Sequence, residues 1–247
     1  MTEPLDLLAI GAHPDDVEMS SGGWICRASG QGYRTGVLHL TKGEMGTHGT
    51  SEERVAEATE AARIMGCAVI EFAGMVDGTL NDDAESVRTL ANLLRKLKPK
   101  VVIAPNERCH HPDHEATARM ARKAVHFAAL NGYETGLPPH RVQRLVTARY
   151  SAHFEPSFYV DISDVFEQKK QAILAYASQF QTVMEEDGKP LTRMSKDGFI
   201  EQFMSVTGMF GLKCGCRHAE AYQVGTAPLV GDPIALLDEG PAQHLIR

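Results

Sequence analysis

The chain has no run of basic residues, no apolar stretch long enough to span a bilayer, and no charged, then apolar, then small-residue signal near its first residue. Its formal net charge is −7. A nucleic-acid or anionic-membrane partner needs a basic surface to neutralise phosphate, so neither is expected; the cytoplasm is the expected compartment. Cysteine is sparse and odd in number: Cys26, Cys67, Cys109, Cys214 and Cys216 in 247 residues, a length that needs no stapling. Reduced thiols are the expectation. Cys214 and Cys216, with His218 two further on, lack the spacing of a zinc knuckle and read as structural. No internal repeat and no domain-separating linker is visible. The content of 43% hydrophobic and 23% charged residues is that of an ordinary globular protein with room for a sizeable core.

What the chain does have is concentrated first in Leu5 to Gly23, LDLLAIGAHPDDVEMSSGG. Leu5 to Ile10 is apolar except at Asp6, the pattern of a strand buried on both faces. A tip follows with His13, Asp15 and Asp16, and Pro14 fixes φ between them. Ser20 and Ser21 before Gly22 and Gly23 read as the start of a short helix over residues 22–28, with hydroxyls able to cap free N–H groups. A strand, a polar loop and a helix in that order put the loop at the carboxyl end of a sheet, where open α/β sheets bind ligands.

The alternation continues. Thr35 to Leu40 predicts a second strand, Ser51 to Met65 a helix capped by Ser51, Ala68 to Ala73 a third strand, and Asp77 to Asp83 a turn-rich loop. Val87, Leu90, Leu94 and Leu97 share one stripe of a helix over residues 85–97, and Lys100 to Pro105 is a fourth buried strand. That strand leads into a second polar tip, Asn106 to Glu115 (NERCHHPDHE), and a helix over residues 116–130. Beyond Gly132, strands are expected at residues 144–151, 158–162 and 221–226, helices at 164–180 and 198–212, and a loop-like excursion over 182–197. The expected architecture is α/β: a Rossmann-like, mostly parallel sheet flanked by helices, with a metal site at the carboxyl ends of its strands. One domain over residues 1–247 is expected, with a core of about residues 1–135 and a C-terminal cap of about residues 136–247.

Two strand ends thus carry near-identical tips, His13-Pro14-Asp15-Asp16 and His111-Pro112-Asp113-His114. One such tip is often only a turn. Two, each closing an apolar strand and leading into a helix, point to metal-dependent chemistry. Two imidazoles and a carboxylate form the ligand set of many catalytic zinc sites. His13 and Asp16 can face one ion from a tight loop, and His114 can complete the triangle if the two strands are neighbours. Asp15 is then a carboxylate beside the metal, placed to take a proton from water. His111, held by Asp113, can stand opposite as the acid that protonates a leaving group. Arg54, in the first turn of a helix, opposes the macrodipole and invites a functional explanation. His39, His126 and His244 read as structural or surface residues, whereas His48, His140 and His153 lie in or near loops able to line a cleft.

The segments AHPDDVE (Ala12 to Glu18), LTKGEMGTHGTSEER (Leu40 to Arg54) and HPDH (His111 to His114) together resemble the LmbE or PIG-L family of zinc-dependent N-acetylglucosaminyl deacetylases. PPHRV, PSFYVDIS, AYASQF and MFG followed by HAEAY resemble the bacillithiol-biosynthesis branch, the N-acetylglucosaminyl-malate deacetylases, so the similarity spans nearly the whole chain. The resemblance implies zinc on His13, Asp16 and His114, ligands that also accept iron, cobalt or manganese. It implies Asp15 as general base and His111 with Asp113 as acid or electrostatic partner. Arg54, Glu44 and Arg141 would bind substrate, Arg141 holding a carboxylate in the malyl case. The implied reaction is hydrolysis of an acetamide on a small amino-sugar substrate, in a homo-oligomer. Two positions depart from the family pattern: His110 replaces an Arg usual in the bacillithiol enzymes, and Phe199 stands where a Tyr able to assist the oxyanion is expected. Tyr176 or Tyr222 could supply a phenol instead.

Three other readings compete. The same chemistry fits another GlcNAc conjugate, such as a chitooligosaccharide, a mycothiol-type inositol glycoside or an antibiotic intermediate. A nucleotide-binding module would need a Gly-x-Gly-x-x-Gly turn, but Gly11 is followed by His-Pro-Asp-Asp after the first strand. A non-catalytic metal-binding protein needs ligands but no base, so Asp15 separates it from an enzyme.

Overall fold

Every residue of the first strand, β1 (Leu7–Gly11), is buried, as a strand covered by helices on both faces must be. The computed structural model describes residues 3–150, 155–180, 192–227 and 229–231. After β1 the chain runs through α1 (Asp16–Gly30), β2 (Thr35–His39), α2 (Ser51–Met65), β3 (Val69–Phe72), α3 (Ala84–Leu97), β4 (Val101–Pro105) and α4 (Pro112–Ala128). It continues with β5 (Arg144–Ala148), β6 (Phe158–Asp161), α5 (Phe166–Leu174), α6 (Ala177–Phe180), α7 (Phe199–Cys214) and β7 (Ala219–Val224). The strands form one sheet in the order β3-β2-β1-β4-β5-β7-β6. The first five are parallel, with Leu7 opposite both Thr35 and Val101; β7 runs antiparallel to β5 and to β6.

The apolar stripes decide the layers. Val87, Leu90, Leu94 and Leu97 of α3, all buried, pack with α4 against Leu8 and Ile10 on one face. On the other face α1, α2, α5 and α7 bury Ile25, Met65, Ile173 and Met204 against Leu7, Ala9 and Val37. Burying one such Leu, Ile or Met contributes roughly 1.5–3 kcal/mol. The C-terminal part, expected as a cap, adds three strands to the same sheet and three helices to the second face. The expected helix over 164–180 is broken into a 3-10 turn, α5 and α6. Of the expected excursion, residues 182–191 lie outside the described residues, as do His153 and His244. No described helix is long and apolar enough to cross a membrane.

Two helix starts differ from expectation, and both matter for the site. Helix α1 begins at Asp16 rather than Gly22, and α4 at Pro112 rather than Ala116, so each polar tip is itself the first turn of its helix. Ser20 and Ser21 lie inside α1 with their hydroxyls 3.2 Å apart. The glycines after them serve close approach: a Cβ on Gly23 would meet Ile162 Cγ2 at 2.6 Å. Helix α2 is capped by Thr50, not Ser51, in a reciprocal box with Glu53.

Candidate metal and catalytic site

β1 and β4 are neighbours at the point where the strand order reverses, and the loops beyond their carboxyl ends face each other there. The two polar tips therefore meet. Three imidazole rings cluster: His13 lies 4.9 Å from His111 and 5.4 Å from His114 between centroids, and His111 stacks on His114 at 4.6 Å. Asp16 sits between two of them. Its Oδ2 is 3.4 Å from His13 Nδ1 and also accepts from the His13 backbone N–H, while Oδ1 is 3.0 Å from His114 Nε2. The remaining nitrogens face outward: His13 Nε2 lies 3.0 Å from Asp77 Oδ1 and 3.3 Å from Asp113 Oδ2, and His114 Nδ1 lies 3.2 Å from Cys109 Sγ. Each of these two rings thus has one nitrogen on the Asp16 carboxylate and the other held by a further acceptor, as the second nitrogen of a metal-ligating histidine usually is. Two groupings bring donor atoms within 4.8 Å of one another, His13 with His111 and His114, and His13 with Asp77 and Asp113. The donor set fits a divalent transition ion.

Electrostatics follow from this crowding. Burial works against a charged His13, but hydrogen bonds and charges from Asp16 and Asp77 outweigh it and hold the ring at a pKa of about 11. For His114, burial is likewise outweighed by Asp16 and Cys109, giving about 10. Burial would raise Asp16 and Asp77, yet His114 and His13 hold Asp16 well below the carboxylate range, and His13 with the Met45 N–H holds Asp77 at about 2. His111 goes the other way: burial and its two ring neighbours lower it. The cluster binds protons where an ion would bind, so ion and protons compete.

Asp15 occupies the N-cap position of α1 with φ 95° and ψ −28°, a left-handed backbone, and its side chain caps nothing. Burial raises its carboxyl to about 7, against the pull of Arg54. Arg54 Nη2 donates to Asp15 Oδ2 at 3.1 Å and to Pro14 O at 2.5 Å, and Nη1 donates to Gly43 O at 3.2 Å. Gly43, at φ 71°, leaves room for that reach, since a Cβ there would lie 2.0 Å from Arg54 Nη1. Behind the tip, buried His39 donates Nδ1–H to His13 O at 3.1 Å.

Residues 8–125 match the PIG-L family, described as GlcNAc-PI de-N-acetylase. Over 235 residues the chain is 31% identical to diacetylchitobiose deacetylase of Thermococcus kodakarensis, a match covering 86% of this chain and 87% of that protein. The chain belongs to the PIG-L family. A conserved protein of Thermus thermophilus has the same fold, with a TM-score of 0.83 and 39% identity over 92% of this chain and 97% of that one. The relatives also include 4-oxalmesaconate hydratase of Pseudomonas putida, 26% identical over 196 residues, 70% of this chain and 73% of that protein.

Within this PIG-L chain, the tips bring His13, Asp15, Asp16, His111, Asp113 and His114 together, but some partners differ from those expected. Asp113 does not hold His111 through its carboxylate: its backbone N–H donates to His111 Nδ1 at 3.2 Å, while the carboxylate accepts from Gly78 N–H at 2.8 Å and faces His13. The reason is that His111 is the N-cap of α4, so its ring turns to the free N–H groups of the first turn. Arg54 is buried and its guanidinium braces Asp15, donating to Asp15, Pro14 O and Gly43 O. Within one chain Arg141 lies away from the cluster. It is exposed just before β5, on the amino edge of the sheet, where neighbouring His140 Nε2 lies 2.8 Å from Pro99 O. Glu44 is exposed on the loop after β2, its carboxylate accepting from Lys42 N–H at 3.2 Å.

Two site residues escaped the sequence reading. Asp77 arrives from the loop after β3, and Tyr150 from beyond β5, its ring edge-on to His114 at 4.9 Å. Each follows a strand carboxyl end on the same edge of the sheet, which is the signal that could have found them. Tyr176 and Tyr222 are fully buried: Tyr176 donates its hydroxyl to Glu18 and lies against the Asp15 backbone, and Tyr222 donates to Glu220. Phe199 stacks between Phe180 and Phe203, and His110 is exposed on the second tip.

Proposed function

We propose that this chain hydrolyses the acetamide of an N-acetylglucosamine conjugate to acetate and the free amine, with a divalent ion held by His13, Asp16 and His114. The observation that carries this reading is the Asp16 carboxylate, 3.4 Å from His13 Nδ1 and 3.0 Å from His114 Nε2, beside Asp15, a buried carboxyl whose pKa is about 7. A base is most effective when its pKa lies near the working pH. A divalent ion held there would supply Lewis acidity to polarise the acetyl carbonyl and to acidify water. Asp15, oriented by Arg54, takes the proton from the attacking water. His111 accepts from Asp113 N–H at Nδ1, so its neutral ring carries a proton on Nε2 that can hydrogen-bond the developing oxyanion, while the proton that Asp15 takes from water passes on to the departing amine.

For the sugar conjugate, the C-terminal motifs favour a malyl glycoside, and the diacetylchitobiose deacetylase relative favours a chitooligosaccharide. Acetate release by metal-loaded protein from N-acetylglucosaminyl-malate, diacetylchitobiose and free GlcNAc, with and without a chelator, tests both. Chelator-sensitive release from at least one compound is the expected result. Its absence from all three, with metal demonstrably bound, would overturn the reading and turn attention to water addition of the hydratase kind.

A further inference from the structure

A cleft opens beside the candidate site, between Met19 and Ser20 of α1, Arg149 and Tyr150 beyond β5, and Phe203 and Phe210 of α7. Tyr150 is the wall it shares with the histidine cluster. The space for water-sized centres is about 30 Å³, the room of about two waters and so of one small anionic group. Three charged side chains line it: Arg149, Lys169 and Glu220. Two of these are committed to the protein. Glu220 accepts from Lys169 Nζ, from Gly23 N–H and Trp24 N–H at 2.8 Å each, and from Tyr222 OH at 2.7 Å, while Lys169 also donates to Met19 O at 2.8 Å.

Arg149 is different. It is half-buried, with its guanidinium carbon 5.7 Å from the centre of the Phe210 ring, and among the described residues it has no hydrogen-bond or ion-pair partner. Burial lowers its pKa, and no carboxylate offsets the loss. A partly desolvated guanidinium without a counter-ion is costly to maintain, and its planar fork matches carboxylate and phosphate oxygens. The cleft therefore carries one uncompensated positive charge in a chain whose net charge is −7.

We propose that Arg149 recognises an anionic group, a carboxylate or a phosphate, on the aglycone of the N-acetylglucosaminide while the acetamide faces Asp15 and His111. This rests on the deacetylase reading above and adds the substrate's charge to it. Arg149 is thereby a specificity residue on a different strand end from Arg141, which lies at the opposite edge of the sheet.

The test compares wild type, Arg149→Gln and Arg149→Lys, all zinc-loaded, on N-acetylglucosaminyl-malate, N-acetylglucosamine 1-phosphate and neutral methyl N-acetylglucosaminide, with calorimetric binding of each compound to wild type and Arg149→Gln. In Arg149→Gln, the KM and Kd of the matching anionic compound should rise roughly 10- to 100-fold, the range of a charge-assisted hydrogen bond. The kcat and the KM of the neutral glycoside should stay nearly constant, and Arg149→Lys should recover part of the loss. Which anion responds separates carboxylate from phosphate. Equal changes for charged and neutral compounds, or none, would overturn the proposal. If wild type hydrolyses nothing, the deacetylase reading falls, yet the binding data still decide on Arg149: weaker anion binding in Arg149→Gln supports it, and unchanged or undetectable binding overturns it.

Discussion

Ion uptake by this site should expel protons, and the number can be worked out from the structure. His13 and His114 hold their protons to pKa values of about 11 and 10 because Asp16, Asp77 and Cys109 outweigh the effect of burial. A ligating imidazole must be neutral, so at pH 8.5 each ring loses one proton when the ion enters. The expected release is at least two protons per ion, any further one coming from water at the ion. Below pH 8.5 the apparent association constant should therefore climb about 100-fold per pH unit, close to 2.7 kcal/mol. Isothermal titration of zinc into chelator-treated protein, in buffers of different ionisation enthalpy, measures the count directly. One proton would fit an ion held by His13 with Asp77 and Asp113 instead. None would refute the reasoning. The sign for folding is fixed by the same values: folded-state pKa values raised above that of free histidine stabilise the metal-free protein fully below about pH 6.5. That stabilisation is lost as pH rises through about 10 to 11. Metal-free protein should thus lose melting temperature in alkali faster than the loaded form.

Three further outcomes are expected. Arg54→Met removes the cation 3.1 Å from Asp15 Oδ2, so the acid limb of the kcat/KM profile should move up by roughly one to three pH units; a limb that stays in place would show that Arg54 does not tune Asp15. Asp15→Asn keeps a side chain that tolerates a left-handed backbone, so metal content and melting temperature should hold while kcat falls roughly 10²- to 10⁴-fold; near-normal turnover would remove Asp15 as base. Glu220→Gln leaves Lys169 charged and buried without its carboxylate, which should cost about 3–5 kcal/mol and roughly 6–20 °C of melting temperature; a loss under about 1 kcal/mol would mean that water already screens the pair.

The parallel core was legible because its strands are apolar runs and nothing else. Leu5 to Ile10 and Lys100 to Pro105 could be placed within a residue or two, and once both strands were central, their two histidine tips had to meet. The helix starts were not legible, since the chemistry-bearing residues double as the first turns. His111 caps α4 with an imidazole, and Asp15 turns the chain into α1 through its backbone, whereas Ser20 and Ser21 offered the more familiar hydroxyl caps. Asp77 and Tyr150 join the cluster through space from β3 and β5, a proximity fixed by strand order rather than by spacing. Arg141 shows the converse. Its place before β5 sets it on the amino edge, but only a parallel partner such as β4 reveals which edge that is. Arg54 was singled out correctly as anomalous at a helix start; that it would spend its donors on Pro14, Gly43 and Asp15 depends on a loop packed above it.

Asp15 and Lys98 are the two non-glycine residues with positive φ among the described residues. Lys98, at φ 51° and ψ 51°, sits near the centre of the left-handed well, whereas Asp15, at φ 95° and ψ −28°, lies well outside it. Glycine would relax that conformation and, having no carboxyl, would also relieve the buried charge. A laboratory lineage selected only for heat resistance should accordingly drift toward glycine at position 15 and yield a sturdier, inert protein. Position 15 is where durability and turnover pull in opposite directions, so any programme to harden this protein has to score acetate release alongside survival.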